Sequence, residues 1–145
     1  MSKTTYEEYF EKNDVLIYRN TGVSMLPLLK QGRDLFVVTK KSSVRCKKYD
    51  VVLFKRSDNQ YVLHRVIKVN EHDYTIRGDN CINAEYGVKD EDILGVMTSY
   101  VRKGKERSVN NFLYKLYSVL WTNLYFCVEF IRSFFKNNLL KGAVR

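Results

Sequence analysis

The sequence predicts a mainly β domain with a short helix before it and one long amphipathic helix after it. Three observations carry this. Short runs of β-branched and aromatic residues recur between residues 15 and 101, separated by turn-forming residues. Threonine followed by acidic residues near the start has the form of a helix N-terminus. Beyond Asn111 the apolar positions step by three and four instead of alternating.

In order, residues 4–12 (TTYEEYFEK) form the short helix, with Thr4 or Thr5 as N-cap and acidic residues in the first turn. DVLIYRN is a strand leading into Thr21-Gly22. A second strand, residues 34–39, comes after the Lys30-Gln31-Gly32 turn. KKSSVRCKK, residues 40–48, reads as a basic surface loop. Residues 50–55, 61–69 and 74–77 are three further strands, punctuated by turns at Asp58-Asn59 and residues 70–73. Residues 93–101 supply another. The division expected is a β-rich body over 1–103, then a basic linker and amphipathic helix over 104–145.

In that helix the apolar positions are 113, 116, 120, 124, 127, 131 and 134, and the polar ones 115, 118, 122, 129, 132 and 136. Its longest uncharged run, residues 116–128, is 13 residues, against about 20 for a membrane span. Trp121, the surrounding aromatics and the basic residues suit a helix lying in a bilayer interface. Packing on the β body, or on a second copy, is the alternative use of the same stripe.

Charge is unevenly placed within the net +9. Residues 28–68 carry 11 basic and 3 acidic side chains, residues 69–106 carry 5 and 8, and residues 107–145 carry 6 and 1. Positive zones therefore flank an acidic middle, which suits an anionic membrane surface, through loop 40–48 and residues 111–140, or a nucleic acid, and charge alone does not choose between them. Nucleic acid is not expected, because no known reader motif is present. Cys46, Cys81 and Cys127 are an odd set without a CxxC pair, which argues against a disulfide framework or a zinc site. Residues 1–14 hold four acidic residues and no apolar run, unlike a signal peptide or an anchor.

One short stretch stands out. In TGVSMLP, Ser24 lies between Gly22 and Pro27, the only proline in the chain. Glycine permits close backbone approach and proline stiffens the chain just beyond, so such a turn can present a hydroxyl. A serine becomes a nucleophile only with a base beside it. His64, in the strand-like VLHRVI, is the candidate. Lys68 is its rival, placed on the same face by strand alternation, and His72 falls in a turn. The third element is Arg77-Gly78-Asp79-Asn80. There Asp79 can orient a histidine and stabilise its protonated form, although Gly-Asp-Asn is also ordinary turn chemistry.

Taken together and in order, GVSMLP, YDVVLF, HRVI, RGDN and DILGV resemble the signal peptidase I family of serine endopeptidases. The resemblance is to its Ser/His branch, from the endoplasmic reticulum, archaea and sporulating bacteria, and covers about residues 15–100. It implies a β fold shared with the SOS-type self-cleaving repressors. It also implies Ser24 as nucleophile, His64 as general base and Asp79 as the acidic residue of the GDN element. Met25 and Pro27 match structural positions of the motif. The branch carries a further acidic residue six positions after Asp79, where this chain has Glu85, one methylene longer. No metal or organic cofactor is implied, and the expected substrate is a leader or signal peptide in a precursor. The family usually begins with a transmembrane anchor and faces outward. This chain departs from that pattern, so the expectation is peripheral membrane association, on the cytoplasmic side unless a partner exports it. The competing reading is a non-catalytic peptide- or membrane-binding module on the same fold.

Overall fold

The computed structural model describes residues 5–142. Helix α1 (Tyr6–Lys12) opens with a capping box: the Thr5 side chain accepts from the Glu8 amide, and the Glu8 carboxylate accepts from the Thr5 amide. The strands are β1 (Val15–Arg19), β2 (Asp34–Lys40), β3 (Val51–Lys55), β4 (Tyr61–Val69), β5 (Tyr74–Arg77), β6 (Glu85–Val88), β7 (Ile93–Arg102) and β8 (Lys105–Ser108). Helix α2 (Phe112–Gly142) closes the chain. The strands form one open antiparallel sheet in the order β1-β2-β7-β3-β4-β5-β6, with β8 added along β7.

Two strands lie where the sequence shows none. Lys103 and Gly104 both have positive φ, at 52° and 73°, the backbone that a tight two-residue hairpin requires. The chain therefore turns back, and Arg102 pairs with Lys105. The resulting strand, KERS, is exposed throughout, so no apolar alternation announces it, and the β body extends past residue 103. Strand β6 is equally short and pairs with β5 through an irregular register that sets Glu85 opposite Ile76.

The central strand β3 is buried on both faces, and its side chains divide by alternation. Val51 and Leu53 join one core with Phe10, Leu16, Met25, Leu29, Phe36 and Met97. Val52 and Phe54 join a second with Cys46, Val66, Tyr74, Ile76 and Val88. The basic loop is partly tied down: Arg45 reaches the carbonyls of Asn70 and Glu71, and Lys41 pairs with Asp90 at 3.1 Å. Lys47 and Lys48 remain exposed.

Helix α2 packs on the body with its unexpected side. Ser118, Thr122 and Tyr125 are buried, whereas Leu113, Leu116, Leu120, Leu124, Ile131 and Phe134 are exposed. The physical reason lies beneath the helix. Arg65 and Arg77 are directly opposed on β4 and β5 and both are buried. A buried guanidinium needs hydrogen-bond acceptors and aromatic faces rather than leucines. Helix α2 supplies them: Ser118 Oγ accepts from Arg65 at 2.9 Å, Tyr114 and Tyr117 rings lie beside Arg65, and Tyr125 lies 4.7 Å from Arg77. No helix among the described residues is long and apolar enough to cross a membrane.

Candidate active site

The segment between β1 and β2 is braced before it reaches Ser24. The Asn20 side chain donates to the carbonyls of Gly22 and Leu29, and the Leu29 amide donates to the Met25 carbonyl. Met25 is inserted in the core at 1% exposure, which fixes the residue beside Ser24. Pro27 follows a cis peptide bond and is exposed. A side chain at Gly22 would meet nothing within 4 Å, so the turn itself does not require glycine there. Gly22 and Ser24 both line a cleft of about 340 Å³ that also holds His64, Arg56 and Cys81.

His64 sits on β4 opposite Val52 and is buried. Its Nδ1 lies 3.0 Å from Glu85 Oε1. Glu85 in turn accepts two hydrogen bonds from Arg56, at 2.6 and 2.7 Å. Burial alone would raise the Glu85 carboxyl pKa; the Arg56 pair and His64 outweigh it and hold the group below its usual range. An ionised carboxylate only accepts, so the Nδ1 of His64 carries the proton and Nε2 is left with its lone pair. Burial pushes the His64 pKa down, Glu85 pulls it back up and Arg56 adds to the lowering; the net direction is downward. His64 is therefore neutral near pH 7, the state a general base needs.

Gly78 is where the two candidate residues converge. A Cβ there would lie 2.7 Å from the Ser24 carbonyl oxygen, 2.9 Å from His64 Nε2 and 2.7 Å from Cys81 Sγ. Only glycine allows this approach. The next turn is stitched to the serine segment as well: the Asn80 amide donates to the Ser24 carbonyl at 2.8 Å, and its side chain donates to the Val23 carbonyl at 3.2 Å. Ser24 and His64 are thus brought to one cleft, with the free Nε2 turned toward the Gly78 backbone that Ser24 touches. No hydrogen bond joins the Ser24 hydroxyl to His64 among the described residues. Nucleophile–base bonds are often loose without substrate.

Asp79 has a different place from the one expected. Its carboxylate accepts from Arg65 Nε and Nη2, both at 2.7 Å, and from the Tyr117 hydroxyl at 2.9 Å. Its carbonyl accepts from the Trp121 indole at 2.7 Å. Arg65 neighbours His64 along β4, so their side chains leave opposite faces. The carboxylate on His64 is consequently Glu85, and Asp79 locks the GDN turn to α2. Burial disfavours the Arg65 charge, but Asp79 overcomes it and raises the guanidinium pKa. Lys68, the rival base, is exposed, because a register shift between Val66 and Lys68 breaks the alternation that would align it with His64. His72 is exposed beside Glu71.

Three contributors carry weaker signals. Gly78 and Asn80 belong to the RGDN turn but act through backbone proximity, and Arg56 sits at a strand end with nothing to mark it. Comparison with protein-family models, with curated proteins and with solved structures found no match for this chain.

Proposed function

We propose that this chain is a serine endopeptidase of signal peptidase I type that cleaves a leader or signal peptide from a precursor, on the β fold which that family shares with the self-cleaving repressors. The observation that supports it best is the orientation of His64: Nδ1 is committed to Glu85 and Nε2 faces the backbone that holds Ser24. In this reading Ser24 Oγ attacks the scissile carbonyl while His64 Nε2 takes its proton. Glu85 stabilises the imidazolium that forms, as the carboxylate of a serine triad does. His64 then passes the proton to the departing amine, and water hydrolyses the acyl-serine by the same exchange in reverse. Arg56 keeps Glu85 ionised, while Met25, Gly78 and Asn80 hold Ser24 in register with the base. The extra methylene of Glu85 is accommodated by β6, which sets that residue beside His64.

The test is incubation of the purified full chain with a mixture of precursor peptides, with products read by mass spectrometry. Ser24→Ala should abolish cleavage while leaving thermal unfolding unchanged, since a partly exposed hydroxyl without a hydrogen bond among the described residues is all that is lost. His64→Ala should lower turnover by about 10²–10⁴-fold. Peptide binding without cleavage by the wild-type chain would identify a binding module instead.

A further inference from the structure

We propose that the outward face of α2 docks on an anionic bilayer surface, lying in its plane. This goes beyond the peptidase reading and does not depend on it. The inner face of the helix is consumed by Arg65, Arg77 and Asp79, which leaves the leucine stripe unused. Leu113, Leu116, Leu120, Leu124 and Ile131 are between 42 and 71% exposed, and the stripe they form runs for about 27 Å at 1.5 Å per residue. An apolar strip of this length on one helix face implies an occupant.

Charge identifies it. Lys47 and Lys48, from the loop after β2, line one depression with Lys115 and Val119 of α2. All three lysines are exposed. Asp50, the carboxylate in that depression, accepts from the Lys47 amide at 2.8 Å. Residues 107–145 carry six basic side chains, Lys115 among them, against one acidic. A second copy carries the same net charge of +9, so pairing two stripes would bring like charge against like. An anionic surface instead receives the leucines and neutralises the lysines together. The described residues of the helix are not long and apolar enough to cross, which leaves the stripe to lie in the plane of the surface.

The experiment is co-sedimentation of the full chain with vesicles of phosphatidylcholine alone and with about one-third phosphatidylserine. Sedimentation velocity without lipid accompanies it. Binding is expected to the anionic vesicles, weakened but not abolished by salt. Replacing Leu116, Leu120 and Leu124 together by glutamate should reduce partitioning at least about 100-fold at every salt concentration. Should that variant lose its folded spectrum, Lys47→Gln, Lys48→Gln and Lys115→Gln combined provide the second arm. They should lower partitioning about 100-fold at low salt and remove most of its salt dependence. Equal binding to neutral and anionic vesicles, no binding by wild type, or a lipid-free dimer that the glutamates dissolve would each overturn the proposal.

Discussion

Replacing Asp79 by asparagine keeps the side chain's shape and removes its charge, and the structure predicts a loss of stability as the first consequence. The carboxylate makes two hydrogen bonds to Arg65 and one to Tyr117. Arg65 is 1% exposed at its side chain, so it cannot turn to water for a replacement. Asparagine offers one acceptor and presents an amide donor to a cation that can only donate. Breaking a buried pair in this way costs about 3–5 kcal/mol, out of a total stability of about 5–15 kcal/mol. With about 2.1 cal/mol/K of unfolding entropy per residue, a chain of this size should lose about 10–16 °C in Tm. Glu85→Gln is the contrast. Glu85 is 26% exposed at its side chain, so the loss of stability should be small, while turnover falls on the order of 10²–10⁴-fold because protonated His64 loses its anion. Calorimetry of both variants, with peptide hydrolysis well below their transitions, separates the two effects. If Asp79→Asn stays within about 2 °C of wild type yet loses turnover, and Glu85→Gln is silent, the assignment of Glu85 to His64 is refuted.

The same geometry bears on the cleft and on its pH dependence. Gly78→Ala places a methyl within 3 Å of the Ser24 carbonyl, His64 Nε2 and Cys81 Sγ, so hydrolysis should be lost with a drop in Tm; near-wild-type turnover would mean that the cleft can yield. The acid limb of kcat/KM should lie below the ordinary histidine value of about 6.5, because burial depresses His64. Glu85→Gln should move that limb further down and Arg56→Gln should move it up, since the carboxylate raises and the guanidinium lowers the His64 pKa. Shifts in the same direction would argue against these two groups as its neighbours. Stability has the matching sign: the unfolded chain binds the proton more readily, so the contribution of neutral His64 is full above about pH 6.5 and declines as pH falls through the folded value.

Much of this protein is legible in its sequence. The apolar runs within residues 50–55 and 61–69 mark strands because a strand buried on both faces must place apolar groups at successive positions. Thr5 with Glu8 marks a helix start because two orphan amides are satisfied at once. The Ser24, His64 and RGDN elements stand out because glycine and proline constrain the backbone locally, whatever surrounds them. What the sequence could not determine is which partner each charged side chain takes. Asp79 and Glu85 are both acidic and both lie after the same strand. The assignment depends on which face of β4 each reaches, and that is set by the GDN turn, by α2 and by the four-residue β6. The helix shows the same division. Its periodicity predicts two faces, one apolar and one polar, and both exist. That the polar and aromatic face turns inward was decided by two buried guanidiniums on neighbouring strands, because a charge withdrawn from water must find acceptors and rings in the fold, whereas a leucine left outside can still find a surface elsewhere.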